Sequence, residues 1–159
     1  MIKYVGVGEC GVSDQPDDRI KTMALGSCVG IIIFSKIRPI AGLLHIQLPE
    51  SSINRQLAQQ KPGTFADTGI PLMVRRFQDY GCMGTELVVK MVGGASVMDP
   101  QNTFNIGKRN ILAARKILWG LKLWPAAEDV GGEFSRTVTV HIGARKVILS
   151  SPGKPDWEV

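Results

Sequence analysis

Residues 25–48 read LGSCVGIIIFSKIRPIAGLLHIQL, and the two apolar runs inside this stretch, Val29–Phe34 and Ile40–Leu48, decide the fold. Each run is short, rich in aliphatic or β-branched residues and bounded by turn formers, which reads as a buried strand. The polar connection SKIRP joins them as an antiparallel hairpin. Cys28 stands at the mouth of the first strand, behind Gly26 and Ser27, and His45 lies in the second. A turn centred between Lys36 and Ile37 sets Cys28 opposite His45, Gly30 opposite Leu43 and Ile32 opposite Ala41. Side chains paired in this way have Cβ atoms roughly 4.5–5.5 Å apart. A slip of one residue would send His45 to the opposite face from the thiol.

This hairpin admits two readings. A buried cysteine is a small hydrophobe, and a single histidine on an apolar strand is a satisfied core residue. A cysteine leaving a tight Gly-Ser turn beside an imidazole is instead a nucleophile with its base, reacting as the thiolate. Thr22, six residues before Cys28, offers a hydroxyl or a carbonyl to hold the second ring nitrogen. Backbone N–H groups at Gly26 and Ser27 can point at a developing oxyanion. The residues themselves leave both readings open.

Working outward, Ile2–Gly8 and residues 20–25 read as strands separated by the acidic turn SDQPDDR. The polar stretch 49–64 reads as a long exposed loop. Asp67–Tyr80 has helical periodicity, with Asp67 or Thr68 as cap, Pro71 in the first turn and Gly81 as stop. Glu86–Val92 is a strand running into Gly93-Gly94. Asn105–Trp119 is an amphipathic helix closed by Gly120. Leu121–Glu128, Arg136–Ile142 and Arg145–Leu149 read as three more strands, and the tail 152–159 as frayed. The sum is an α+β domain over 1–159: mixed, mostly antiparallel sheets flanked by two main helices.

The bulk numbers agree. A chain of 159 residues with 44% hydrophobic and 21% charged residues is the size and make-up of one domain with a core. The net charge of +5 favours an acidic partner surface, without the dense basic clustering of a nucleic-acid binder. No stretch is long and apolar enough for a membrane span, and MIKYVGVGEC does not read as a signal peptide. Three dispersed cysteines and no CxxC pair exclude a disulfide framework and a zinc site, so no metal or cofactor is expected. Free thiols fit a cytoplasmic location. Cys10, Cys82 and His141 read as structural, and Trp119 and Trp124 as core or interface residues.

Several segments together are similar to the CheD family of chemoreceptor glutamine deamidases: VGVGE at 5–9, TMALGSC at 22–28, His45 with Pro49, FADT at 65–68, GGAS at 93–96, NIGKRN at 105–110 and AEDVGG at 127–132. They cover nearly the whole chain. The resemblance implies hydrolysis of glutamine side-chain amides on receptor helices, with the family's cysteine, histidine and threonine falling on Cys28, His45 and Thr22. It implies a fold like that of glutamine-deamidating toxin domains, chemoreceptor cytoplasmic helices as protein substrate and, for many members, a regulatory phosphatase of the CheC type as partner. Lys108, Arg109, Arg115, Lys116, Arg75 and Arg76 are then candidates for a basic docking face, against the plainer reading of solvated helix faces.

Two other functions compete. GGAS followed by NIGKRN can cradle a phosphate at a helix start, although neither glycine-rich nucleotide motif is complete. A non-catalytic adaptor of the chemotaxis machinery would share the basic surface and would not need Cys28 opposite His45.

Overall fold

The computed structural model describes residues 1–97, 101 and 103–159. Among them the chain forms ten strands: β1 (Ile2–Tyr4), β2 (Cys10–Ser13), β3 (Arg19–Leu25), β4 (Val29–Ser35), β5 (Ala41–Ile46), β6 (Leu87–Gly93), β7 (Pro125–Val130), β8 (Arg136–His141), β9 (Lys146–Ser151) and β10 (Lys154–Glu158). The helices are α1 (Arg55–Gln60), α2 (Ala66–Asp79) and α3 (Ile106–Gly120). The strands build two sheets, ordered β1-β3-β8-β9-β10 and β2-β5-β4-β6-β7. Most pairings are antiparallel; β1 with β3 and β6 with β7 are parallel. The α+β architecture expected from the sequence is therefore present.

The second sheet is the middle layer. One of its faces carries Ile31, Ile33, Leu44 and Ile46 against Ile70, Met73 and Phe77 of α2 and Ile111 and Leu118 of α3. The other carries Ile32, Phe34 and Leu43 against Ile20, Val138, Val140 and Leu149 of the first sheet. Coverage on both sides explains why every residue of β4 and β5 is buried and why these strands read as unbroken apolar runs, without alternation. The chain passes from the first sheet to the second between β3 and β4, through Gly26, Ser27 and Cys28.

Several expectations are corrected. The hairpin register is two residues away from the expected one: Gly30 faces His45, Ile32 faces Leu43 and Phe34 faces Ala41. The turn is wider because Ser35 and Arg38 are tied together: the Ser35 hydroxyl oxygen accepts from the N–H groups of Ile37 and Arg38. The Arg38 guanidinium in turn grips the Glu86 carboxylate and the carbonyls of Tyr80 and Gly81 at the end of α2. A shift of two preserves the face, so Cys28 and His45 still project to the same side, as diagonal neighbours.

The tail is not frayed. It forms β10 against β9, and Trp157 Nε1 donates to Asp129 at 2.7 Å. The 49–64 stretch is no open loop: it contains α1 and two short 3-10 turns, and Gly63 and Thr64 are buried. Neither Asp67 nor Thr68 caps α2, whose N-cap is Phe65. Asp67 instead accepts from the Ser51 N–H and hydroxyl, and the Thr68 hydroxyl donates to the Pro62 carbonyl. Pro71 lies inside α2, beyond its first turn. β2 was missed, and β7 starts at Pro125, later than the expected Leu121.

Candidate active site

Thr22 and His45 meet at the seam between the sheets, and Cys28 lies on the turn that crosses it. Thr22 belongs to β3 in the first sheet and His45 to β5 in the second. β3 carries a bulge between Thr22 and Leu25, with Ala24 at a positive φ of 49°. The one extra residue keeps both Thr22 and Leu25 inward and bends the strand towards the crossing at Cys28.

His45 is 3% exposed. Its Nδ1 lies 2.7 Å from the Thr22 hydroxyl oxygen, and the same hydroxyl donates to the Val5 carbonyl at 2.7 Å. A hydroxyl has one hydrogen and a carbonyl can only accept. The Thr22 hydrogen therefore belongs to Val5, and the ring must donate from Nδ1. That fixes the tautomer and leaves Nε2 with its lone pair free. Nε2 is buried and makes no hydrogen bond, so the imidazole and the Cys28 thiol share a face without being bonded to each other. Gly30, directly opposite His45, places no side chain between them; a Cβ there would press on Leu25 and Val92 at 3.1 Å.

The backbone of His45 is clamped as well. Its carbonyl accepts from the Gly8 N–H at 2.8 Å and its N–H donates to the Glu9 carbonyl at 3.1 Å. The VGVGE segment thus has a physical use: Val5 orients Thr22, and Gly8 and Glu9 hold His45. Gly8 sits at φ +76°, and a Cβ on it would lie 2.6 Å from Thr64 Oγ1.

The Cys28 turn is anchored through its carbonyls. Gly26 accepts from the Ala95 N–H and Cys28 from the Gly94 N–H, each at 2.8 Å. Ser27 accepts from Asn110 Nδ2 at 2.9 Å, and the same Nδ2 donates to the Gln47 carbonyl at 2.9 Å. Asn110 lies on the buried face of α3, in line with Gly107 and Ala114. It joins the turn before the thiol to the segment after the imidazole, while its Oδ1 is buried without a partner. The sequence reading did not single out Asn110; a polar residue on the apolar stripe of a helix was the available signal. Gly107 lets α3 come this close: a Cβ there would lie 2.5 Å from the Gly94 oxygen and 2.7 Å from that of Ala95. These glycines serve helix packing, and carbonyl oxygens hold the space beside the first turn of α3 that a phosphate cradle would need.

Burial governs the charges. It pushes the Cys28 thiol up, partly offset by that residue's own N–H. It holds the His45 imidazole down to about 4; Glu9 opposes this and Lys61 adds to it. At neutral pH the resting pair is thiol and neutral imidazole, not the thiolate expected from the sequence. Among the described residues no cluster of His, Cys, Asp or Glu is arranged to hold a metal, and no helix is long and apolar enough to cross a membrane. Cys82 is buried in the helix-side core, and Cys10 is half-buried beside Arg76, whose guanidinium contacts the Cys10 carbonyl.

Comparison with known proteins decides the family. The profile described as CheD chemotactic sensory transduction matches residues 47–151. A probable chemoreceptor glutamine deamidase CheD of Syntrophotalea carbinolica is 50% identical over 157 residues, covering 98% of this chain and 97% of that protein. The chain belongs to the CheD family. A second CheD relative of the same description, from Solibacter usitatus, is 45% identical over 94% of this chain and 89% of its own. One from Methanococcus maripaludis is 35% identical over 94% of both. The profile match begins just past His45, whereas the CheD relatives span nearly the full length, beyond the strands that hold Thr22, Cys28 and His45.

Proposed function

We propose that this protein hydrolyses glutamine side-chain amides of chemoreceptors to glutamate and ammonia, with Cys28 as nucleophile, His45 as base and Thr22 as positioning residue. The names of its CheD relatives support the reaction. The observation that carries the site is the Thr22–His45 bond, which leaves a bare Nε2 on the face of the hairpin that Cys28 shares.

Nε2 takes the thiol proton as sulfur attacks the amide carbon, so charge separates only during the reaction. The carbonyl electrons move onto oxygen, where backbone N–H groups of Gly26, Ser27 and Cys28 receive the oxyanion. The C–N bond breaks, and His45 returns the proton to departing ammonia. A water, deprotonated by the same Nε2, opens the thioester to glutamate and restores the thiol. No step calls for a metal. The product differs from the substrate by one negative charge, which alters receptor electrostatics directly. The substrate helices place the reaction in the cytoplasm, and a CheC-type phosphatase is the regulator that the family resemblance implies.

The test is the cytoplasmic fragment of a chemoreceptor incubated with protein carrying Cys28→Ala. Loss of ammonia release, and of the mass gain from replacing NH2 by OH, is expected, with thermal unfolding unchanged. Deamidation persisting in this variant would overturn the assignment.

A further inference from the structure

Beyond the catalytic groups, the structure contains a groove between α3 and the segment following β5. Two adjoining clefts, of about 350 and about 230 Å3, share Pro49, Glu50, Ala113 and Lys116 as lining. The groove starts where the site ends: Gln47 is tied to Asn110, and Pro49 and Arg109 are the lining residues next along each chain segment. Ile117 deepens one cleft, and Leu112, 53% exposed, walls the other.

The charges of the groove are segregated by wall, two cations facing two carboxylates. Arg109 and Lys116 stand on the α3 wall, and no described residue forms an ion pair with either; Arg115, on the same helix, is locked to Glu128. Across the groove stand the carboxylates of Glu50 and Asp67, the latter held in place by the Ser51 N–H and hydroxyl. Arg109, Leu112, Lys116 and Trp119 follow one another at steps of three, four and three residues, so cation and apolar group alternate along one exposed stripe of α3. Trp119, 60% exposed, is met edge-to-face by the equally exposed Trp124 at 5.0 Å.

We propose that this groove docks an amphipathic helix of the substrate that carries carboxylates two turns apart, paired with Arg109 and Lys116, while Leu112 and Trp119 grip its apolar residues. The proposal rests on the deamidase reading above. The two cations are seven residues apart, roughly 10 Å along the helix axis, which is the spacing of residues i and i+7 on a partner helix. The reaction supplies such groups itself: each turnover turns a neutral amide into a carboxylate. A substrate helix with two glutamates two turns apart, outside its target glutamine, therefore binds better than one with glutamines at those places. Processing of neighbouring sites becomes ordered by charge.

The experiment compares two receptor fragments that carry a target glutamine and, elsewhere on the same helix, two residues seven apart that are either both Glu or both Gln. With wild-type protein KM is lower for the Glu fragment, and the difference shrinks as salt is raised. In the double variant R109E/K116E the preference reverses, and KM for the Glu fragment rises roughly five-fold or more, since each exposed pair is worth up to about 1 kcal/mol. L112A raises KM for both fragments alike. Equal KM values for wild type and double variant at low salt would overturn the groove assignment. So would a change only in self-association of the variant, which would make the groove a contact between copies. Absence of deamidation by wild-type protein would instead overturn the underlying reaction.

Discussion

The Thr22 hydroxyl bridges two groups 2.7 Å away on either side, donating to the Val5 carbonyl and accepting from Nδ1 of His45. One side chain thereby decides where the proton on the ring sits. Replacing it by valine keeps the shape and removes the acceptor, leaving a buried N–H unpaired and the tautomer free to change. Thr22→Val is expected to lower kcat roughly 10- to 100-fold, while Thr22→Ser, which keeps the hydroxyl, recovers most of it. Ammonia release by the two variants provides the check; equal activity in both would remove Thr22 from the mechanism.

The neutral resting pair sets the pH behaviour. Burial holds His45 down to about 4 and lifts Cys28 above the ordinary cysteine value of 9.0. Alkylation of Cys28 by iodoacetamide should therefore keep rising through the alkaline range, and the acid limb of kcat/KM should lie well below neutrality. A thiolate–imidazolium pair would give instead an alkylation plateau on the acid side of neutrality.

The same shift governs stability. Between the unfolded value of 6.5 and the folded value of about 4, acid protonates His45 in the unfolded chain and not in the folded one. Stability therefore falls as pH drops through this window, by about 3 kcal/mol at most. Urea midpoints at neutral pH and at about pH 4.5 should converge more in His45→Asn than in wild type; an identical acid loss in both would contradict the assigned burial effect.

Asn110 holds the two sides of the site together from a fully buried position. Asn110→Leu leaves the carbonyls of Ser27 and Gln47 without their donor and is expected to cost about 2 kcal/mol of stability. Its kinetic mark is a fall in kcat larger than any change in KM, because the turn that aims Cys28 loosens. Asn110→Gln, with an amide one carbon farther out, should not rescue it. A variant altered only in melting temperature would make Asn110 purely structural.

At the far edge, Asp129 accepts from both Arg136 and Trp157, and Arg136 and Lys154 lie over the Phe134 ring at 4.4 and 4.1 Å. Trp157→Phe keeps a ring and removes the donor, at an expected cost of about 1 kcal/mol; Trp157→Ala should cost about 2 kcal/mol or more. Thermal unfolding separates the two, and an unchanged midpoint in Trp157→Ala would return the tail to a frayed segment.

The central strands were legible because β4 and β5 are covered on both faces, which writes burial straight into the sequence as apolar runs. The amphipathic faces of α2 and α3 were legible for the complementary reason. Hairpin register was not, because SKIRP does not reveal that Arg38 would reach Glu86 and the end of α2. β10 was hidden since its stability comes from a tryptophan bonding to Asp129, 28 residues earlier. Thr22, Cys28 and His45 could be picked out by residue type and by family likeness; Asn110 could not, because its partners are backbone carbonyls that carry no side-chain signature.

The placement of Thr22 on one sheet and His45 on the other has a consequence for biosynthesis. β3 is held in place by β8, so the layer presenting the Thr22 hydroxyl is incomplete until the last quarter of the chain has left the ribosome. Until then the hairpin carries a thiol beside an imidazole whose tautomer nothing selects. On the proposed reading, the capacity to attack glutamine therefore arrives only with the finished fold.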